Sequence, residues 1–345
     1  MAHRDIVVAG ASAGGVEALS HLVASLPEDL QAAVLVVLHI PSTGTSALPS
    51  ILSRRGRLPA AHARHGEPIE PGRIYVAPPD RHMLVHDGKV VLSHGPRENG
   101  HRPAVDPLFR SAARSHGERV TGVILSGALD DGTAGLSAVK ACGGVTVVQD
   151  PTDAIYQAMP VNAIEHVEVD HVLAASEMGA LLVALTKELA SNPPTVPEGM
   201  RVEAELERMT TSPPDDTRPG RPSGFSCPDC NGVLWETDDG DLVRFRCRAG
   251  HAWSPGSLLA QQNDGIEAAL WVALRSLEER AALVRRLARS AHERGHEITA
   301  GHFEDHAHDA EHGAQLVRAL LADPSRLTGG TRRSAPRGPA DDRAS

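Results

Sequence analysis

Aromatic side chains are scarce in this sequence: phenylalanine, tyrosine and tryptophan together make up 3% of its 345 residues. A hydrophobic core must therefore be built mainly from aliphatic side chains, since hydrophobic residues still account for 41%. Charged residues make up 23%, which is typical of a folded, soluble protein. The length allows one sizeable core and a smaller second unit.

An excess of basic residues and a long apolar run are also lacking. The formal net charge of -10 argues against a nucleic-acid binder that relies on a basic face. The most apolar run, residues 32–38, is about a third of the roughly 20 residues that a membrane span needs. No apolar export segment follows Met1. We therefore expect a cytoplasmic protein with no membrane insertion and no nucleic-acid partner.

Residues 1–186 alternate short β-branched runs with helix-like stretches. This alternation predicts an α/β fold, a doubly wound, mostly parallel sheet covered on both faces. A hairpin around Asp87-Gly88, within residues 85–94, adds an antiparallel insertion. The candidate strands are Ile6–Ala9, Ala33–Leu38, Ile74–Ala77, Val120–Leu125 and Val145–Val148, and the candidate helices are Val16–Leu26, Pro107–Ser115 and Gly135–Ala141.

The second half of the chain has a different composition. Residues 187–224 contain seven prolines and predict a linker. Residues 225–256 carry a cysteine cluster, and residues 257–322 are predicted to be helical. Between Asn263 and Ala291 apolar residues recur every three or four positions, so this helix has an apolar seam that allows self-association. Residues 323–345 have the composition of a disordered tail.

Ser12 lies on a turn between a predicted strand and a predicted helix. The pattern Gly10-x-Ser12-x-Gly14 in this context is typical of a nucleophile elbow. A glycine-rich turn that cradles a phosphate is the alternative, and it expects Asp or Glu at the end of the second strand. The sequence has His39 there, which favours a general base. Asp131 follows a later strand and supplies a carboxylate to orient that base, although Asp-Asp-Gly is also typical of a turn or helix cap.

Five segments in order carry a family resemblance that covers about residues 3–186. They resemble the catalytic domain of the chemotaxis protein-glutamate methylesterase/glutaminase family (CheB-type). The segments are Gly10–Gly15, Leu38–Pro41, His101–Phe109, Leu125–Gly127 with Asp131-Gly132, and Gln149–Pro151 with Ala158–Pro160.

The resemblance implies a serine hydrolase with no catalytic cofactor, in which Ser12, His39 and Asp131 form the triad. Backbone N–H groups at Ala13 and Ala128 would bind the oxyanion. The implied reaction is hydrolysis of glutamate γ-methyl esters, with glutaminase activity in addition. The implied partner is a methylated chemoreceptor-like or other signalling protein.

The sequence departs from this family at several points. We expect a stand-alone form of the family, with a C-terminal extension and no receiver domain ahead of the catalytic domain. Ala128 and Leu129 replace the family's methionine and glycine, and Ala13 replaces a threonine. These changes keep an alternative open: a non-catalytic signalling adaptor that uses the hydrolase fold, the cysteine cluster and the helix to bind partners. Arg102 and Asp106 are candidates either for shaping the substrate cleft or for an internal ion pair.

Cysteines are few, and three of the four lie close together in sequence. Cys227, Cys230, Cys247 and His251 have the spacing of a tetrahedral zinc site within a zinc-ribbon-like unit, with a hairpin between the two ligand pairs. A redox dithiol or unpaired cysteines are the alternatives. Four protein ligands leave no open position for water, so we expect a structural zinc with no role in ester cleavage. We also expect the proline-rich linker to keep this unit away from Ser12, with a docked ribbon as the alternative.

Overall fold

The computed structural model describes residues 2–190, 220–239 and 242–323. These residues fall into two units divided after Leu258. Most of the predicted linker (191–219) and all but the first residue of the predicted tail (324–345) lie outside the described residues.

A seven-stranded sheet forms the centre of the first unit, and all its strands pair in parallel. The strands are β2 (Ile6–Ala11), β3 (Ala33–Leu38), β4 (Ala60–His62), β5 (Ile74–Val76), β8 (Val120–Ile124), β9 (Val145–Gln149) and β10 (His171–Leu173). Their order across the sheet is β10-β9-β8-β2-β3-β5-β4. Strands β2 to β5 therefore form one half of the sheet, and the chain then crosses to the other side of β2, where β8, β9 and β10 form the other half.

Helices cover both faces of this sheet because its strands alternate aliphatic side chains between two cores. In β2, Ile6 and Val8 point into one core and Val7 and Ala9 into the other, all buried. The first core packs against α3 (Val105–His116), α4 (Thr133–Ala141) and α5 (Ala158–His166), and the second against α1 (Gly15–Ala24), α2 (Leu48–Arg55) and α6 (Met178–Leu185). The predicted doubly wound α/β fold is confirmed.

All five predicted strands and all three predicted helices of this unit are present. The strands β4 and β10 and the helices α2, α5 and α6 were not predicted. Each of these two strands has only three residues, and such a short segment becomes a strand only through its neighbour in the sheet.

The predicted hairpin is also present, and it lies outside the main sheet. Its strands β6 (His82–His86) and β7 (Lys89–Ser93) pair only with each other among the named strands of the described chain. Asp87 and Gly88 adopt φ values of 49° and 69°, as a two-residue hairpin turn with the correct twist requires. A second antiparallel pair joins β1 (Ala2–His3) to β11 (Leu189–Ala190).

A four-stranded antiparallel sheet follows at residues 221–253, which we call the ribbon. Its strands are β12 (Arg221–Ser226), β13 (Val233–Asp239), β14 (Leu242–Cys247) and β15 (Ala252–Trp253), in that order. The predicted hairpin is β13–β14. A small core of Leu234, Phe245, Trp253 and Leu258 lies beside two of the cysteines, Cys227 and Cys247.

Two long helices end the described part of the chain, α7 (Pro255–Glu293) and α8 (Glu297–Ala322). The part of α7 beyond Leu258 and all of α8 form the second unit. Ala281 and Ala288 of the predicted seam are buried there, whereas Ile266 is 45% exposed. Within the described ranges, no helix combines the length and the apolar character that a membrane span requires.

Candidate active site and metal site

Three predicted site residues lie just beyond the ends of adjacent strands. Ser12 follows β2, His39 follows β3, and Asp131 lies on the loop after β8. These strands neighbour one another in the order β8-β2-β3, and β2 is where the chain direction across the sheet reverses. The carboxyl ends of parallel strands open on one edge, and such a switch point leaves a crevice there.

The three side chains form a continuous hydrogen-bonded row. His39 Nδ1 lies 3.1 Å from Ser12 Oγ, and His39 Nε2 lies 2.6 Å from Asp131 Oδ2. An ionised Asp131 can only accept, so Nε2 carries the proton and Nδ1 is free to accept one from Ser12.

Glycine is required at the turn that presents Ser12. Gly14 has a φ of 71°, in the left-handed region, and a Cβ there would lie 2.6 Å from Ser126 Oγ. The turn is tied to the neighbouring strand end because Ser12 N–H donates to the Ser126 carbonyl at 3.0 Å. Helix α1 begins at Gly15, so its N-terminus lies directly behind the serine.

Asp131 is buried and accepts hydrogen bonds on both oxygens. Besides His39, the Val105 N–H donates to Oδ2 at 2.7 Å, and the Asn99 side-chain amide donates to Oδ1 at 2.9 Å. Burial by itself would raise the pKa of this carboxyl, but the hydrogen bond and charge of His39 and the Val105 N–H hold the pKa well below its usual range. Asp131 is therefore ionised at neutral pH.

A second buried carboxyl, Asp106, lies beside Asp131. Burial, followed by the negative charge of Asp131, raises the pKa of Asp106 to about 8. The Gly135 N–H donates to its Oδ1 at 2.6 Å, and the Asn99 amide lies 3.3 Å from its Oδ2. Asp106 is thus a largely protonated group beneath the site and does not pair with Arg102, which bonds to Asp80 instead.

His101 stacks on the ring of His39. Their centroids are 3.8 Å apart, with an angle of 11° between the planes. Burial, followed by the nearby charge of His39, lowers the pKa of His101 to about 4. A neutral His101 therefore supports the His39 ring without repelling the imidazolium that forms on proton transfer.

A cleft of about 410 Å³ opens over this row. It is lined by Ser12, His39, Ile40, Pro41, Ser42, Arg97, Gly100, His101 and Arg102. The Arg102 guanidinium is held by the Asp80 carboxylate at 2.6 and 3.0 Å and by the Gly95 carbonyl at 2.8 Å. Arg102 thus lines the cleft and also belongs to an ion pair, so the two predicted alternatives hold together for this residue.

The loop after β8 approaches Ser12 closely at Gly127. A Cβ at this glycine would lie 3.0 Å from Ser12 Cβ and 1.9 Å from Met159 Sδ. Ala128, which is predicted to contribute to an oxyanion hole, directly follows this glycine in the chain. Ala13, the other predicted contributor, directly follows Ser12. Leu129 has a φ of 61°, a left-handed conformation that is unfavourable for leucine.

The four predicted metal ligands converge in the ribbon. One ligand atom from each of Cys227, Cys230, Cys247 and His251 lies within 4.8 Å of all the others. Cys247 Sγ is 3.6 Å from Cys230 Sγ and 3.5 Å from His251 Nδ1. Tetrahedral zinc with bonds of about 2.3 Å to sulfur would place two sulfurs about 3.8 Å apart. The residues therefore fit a tetrahedral ion that prefers thiolates.

The surroundings of these ligands also suit an ion. His251 Nδ1 faces Cys247 Sγ, and Nε2 on the other side of the ring lies 3.9 Å from the Asp229 carboxylate; a carboxylate near the outer nitrogen of a ligating imidazole is common in metal sites. Burial, followed by the proximity of Cys227, raises the pKa of the Cys247 thiol to about 12. A positive ion would offset this penalty on the thiolate form.

The ribbon packs at the carboxyl ends of the parallel strands, on the same edge of the sheet as the hydrogen-bonded row of Ser12, His39 and Asp131. Its Arg244 bonds to Glu98 at 3.2 Å, and Ser254, just after the ribbon, donates from Oγ to Asp130 at 2.6 Å. The linker was expected to keep the ribbon away from Ser12. These contacts correspond to the docked alternative: they reach Asp130, the residue before Asp131, and do not involve Ser12. Neither Glu98 nor Asn99 stood out in the sequence, although both lie within three residues of the start of the His101–Phe109 segment.

Comparison with known proteins identifies relatives of the first unit. A family model described as CheB methylesterase matches residues 7–182. A protein-glutamate methylesterase/protein-glutamine glutaminase 2 of Anaeromyxobacter dehalogenans is 40% identical over 183 residues, which are 53% of this chain and 54% of that protein. A protein-glutamate methylesterase/protein-glutamine glutaminase 1 of Geobacter metallireducens is 40% identical over 177 residues, 50% of this chain and 48% of that protein.

A solved structure is similar to the same half of the chain. The crystal structure of the Thermotoga maritima CheB methylesterase catalytic domain matches with a TM-score of 0.51 and 34% identity, and the match covers 52% of this chain and 98% of that one. The chain spans about half the length of the two curated relatives. The ribbon and the two long helices lie outside the family match.

Proposed function

Because this chain belongs to the CheB methylesterase family, we propose that it hydrolyses glutamate γ-methyl esters in a protein, with Ser12, His39 and Asp131 as its catalytic triad. The observation that carries this proposal is the hydrogen-bonded row, in which Nδ1 of His39 faces Ser12 and Nε2 faces Asp131. The names of the two relatives add glutaminase activity to the proposal.

In the proposed acylation step, Ser12 Oγ attacks the ester carbonyl while His39 Nδ1 takes its proton. The resulting imidazolium carries protons on both nitrogens, and Asp131 stabilises it through the 2.6 Å hydrogen bond. His39 then gives the proton to the departing methoxide oxygen, so methanol leaves and an acyl-serine remains. Water, activated by the same nitrogen, releases the glutamate carboxylate and restores Ser12.

The negative oxygen of the tetrahedral intermediate needs hydrogen-bond donors. We assign this role to the backbone N–H groups of Ala13 and Ala128. The approach of Gly127 to Ser12 supports the assignment because it brings the two chain segments together. Backbone donors are also insensitive to the side-chain changes at Ala13 and Ala128.

The composition of the cleft supports a protein substrate that carries acidic groups. Arg97 and Arg102 are among the residues that line the cleft, and cationic side chains attract a protein surface rich in carboxylates. We therefore propose a methylated chemoreceptor-like or other signalling protein as the substrate. The ribbon cluster is proposed to hold a structural zinc, which would supply folding energy and no chemistry at the ester.

A fluorophosphonate probe tests the nucleophile. The probe should label Ser12 in the wild-type chain, and labelling should disappear in Ser12→Ala. Ser42, which lines the same cleft, provides the matched control: Ser42→Ala should be labelled like the wild type.

Methanol release from a methylated receptor fragment tests the reaction itself. Release by the wild type and none by Ser12→Ala is the expected result. A well-folded chain that is neither labelled nor active would refute the hydrolase and favour the adaptor.

A further inference from the structure

The ribbon is anchored to the parallel-sheet part of the first unit through a buried carboxylate. Glu98 is 2% exposed, and Arg110 of α3 donates to both its oxygens at 2.7 and 2.8 Å. Two arginines from strand β14 of the ribbon reach the same carboxylate, Arg244 at 3.2 Å and Arg246 at 3.3 Å. These arginines are themselves buried. A buried charge cluster of this kind fixes one docking geometry, since displacement would leave charges without partners.

Asn99, the next residue, connects the ribbon to the triad carboxylate. Its backbone N–H donates to the Ala252 carbonyl of β15 at 2.8 Å, and its side-chain oxygen accepts from the Ser254 N–H at 2.8 Å. Its side-chain nitrogen donates to Asp131 Oδ1 at 2.9 Å. The hydrogen bond from Ser254 therefore fixes the orientation of the Asn99 amide. Because its oxygen accepts from Ser254, its NH₂ group points at Asp131.

Asp130 makes a second connection to the same region. Its Oδ1 accepts from Ser254 Oγ at 2.6 Å and from Ser257 Oγ at 2.9 Å. Ser257 lies in the first turn of α7, just after the ribbon. The backbone on the N-terminal side of Asp131 is thereby fixed by residues that follow the metal ligands.

The metal ligands are direct neighbours, along one short stretch of chain, of the residues that contact Glu98 and Asn99. Arg246 directly precedes Cys247, and His251 directly precedes Ala252. Cys247 N–H donates to the His251 carbonyl at 3.0 Å, which closes the loop between the two ligands. An ion that holds Cys247 and His251 together would therefore set the position of Arg246 on one side and of Ala252 and Ser254 on the other.

We propose that the ribbon is a positioning device for the triad: a thiolate-preferring divalent ion holds residues 247–254 in place, and Asn99 transmits that order to Asp131. Asn99 is thus a positioning residue that acts through the carboxylate. This inference rests on the proposed function, and it replaces the expectation that the metal has no connection with ester cleavage. Loss of the ion should weaken catalysis without closing the cleft, because none of the ligands lines it.

Three full-length chains test this: Cys230→Ser, Asn99→Gly and the double variant. Glycine at position 99 tolerates the φ of 52° and keeps the backbone bond to Ala252, so the variant removes only the amide. A hydrogen bond to a charged group is worth about a ten- to hundredfold change in an equilibrium. We expect kcat to fall by about that factor in each single variant, with KM nearly unchanged.

The double variant separates coupling from general destabilisation. If the ion acts through Asn99, Cys230→Ser should lower kcat little further in the Asn99→Gly background. Multiplying losses would overturn the proposal, as would full kcat in a Cys230→Ser chain that contains no zinc. Cys142→Ala, which removes the cysteine outside the ribbon, is the control and should keep both zinc and activity.

A readout independent of turnover is the proton NMR signal of His39 Nε2–H, which reports the 2.6 Å bond to Asp131. This signal should shift or broaden in Cys230→Ser and in wild type stripped by a chelator, and return when zinc is added back. An unchanged signal in zinc-free protein would overturn the coupling. Failure of the probe to label Ser12 in the wild type would instead overturn the proposed function.

Discussion

Replacing Asp131 by Asn removes a charge and forces a choice between two incompatible hydrogen-bond patterns. In the native site every neighbour donates: His39 Nε2 and the Val105 N–H to Oδ2, and the Asn99 amide to Oδ1. Asparagine offers one acceptor oxygen and one NH₂ group. Its NH₂ group must therefore face a donor whichever way the side chain turns.

The two orientations have different consequences. If the NH₂ group faces His39, the ring must accept at Nε2 and carry its proton on Nδ1, where it cannot take the proton of Ser12; a wrong tautomer of this kind costs about 10⁴ in kcat. If the NH₂ group faces Asn99, the tautomer survives, but two buried donors oppose each other at about 1–3 kcal/mol. We expect Asp131→Asn to lower kcat by about 10²–10⁴-fold and to lower the free energy of unfolding by about 1–3 kcal/mol.

A compensating variant provides the control. Asn99→Asp combined with Asp131→Asn moves the charge to position 99 and restores an acceptor for the new NH₂ group at position 131, while the second oxygen at position 99 still accepts from Ser254. Urea unfolding should show recovered stability, and methanol release should show part of the lost kcat recovered. Wild-type turnover in Asp131→Asn, or a double variant less stable than Asp131→Asn alone, would refute this reasoning.

Three further predictions follow from individual residues. His39→Ala should lower kcat by about 10²–10⁴-fold, because Ser12 loses its general base; near-normal methanol release would contradict this assignment. Leu129→Gly should raise the free energy of unfolding by about 1 kcal/mol, since leucine adopts a left-handed φ there, whereas Leu129→Ala should give no such gain in urea unfolding. Asp106 has a folded-state pKa raised from 3.8 to about 8 by burial and then by the charge of Asp131. Its contribution to stability is complete below pH 3.8 and is lost as the pH rises through about 8. Between pH 5 and 7 the wild type should therefore lose about 1 kcal/mol per pH unit relative to Asp106→Asn, and parallel stability curves would count against a protonated Asp106.

Local patterns in the sequence predicted a large part of the fold. The β-branched runs predicted the five central strands of the main sheet, since strands buried on both faces must be continuously apolar. Asp87-Gly88 predicted the hairpin because both residues tolerate a positive φ. The spacing of Cys227, Cys230, Cys247 and His251 predicted their convergence, since each pair lies within a single turn of chain.

The candidate triad was partly predictable for a similar reason. Ser12 and His39 each end a strand, and the ends of neighbouring parallel strands meet at one edge of the sheet. The role of Asp131 could be predicted only with the family resemblance, because an Asp-Asp-Gly loop is also typical of a turn or a helix cap. The stacking of His101 on His39 could not be predicted, since it depends on how two distant loops cross.

The position of the ribbon was decided by the tertiary structure alone. Glu98 meets Arg244 and Arg246 across 146 and 148 residues of chain, and Asn99 meets Ser254 across 155. Arg244 and Arg246 are two residues apart on one strand, so the sequence alone places both cations on the same face. No sequence pattern identifies Glu98 as the carboxylate that they bind. The sequence by itself determined the local geometry of each unit, because residues close together in the chain fix that geometry. The link between the metal ligands and Asp131 arises only where two surfaces with complementary charge are brought together by folding.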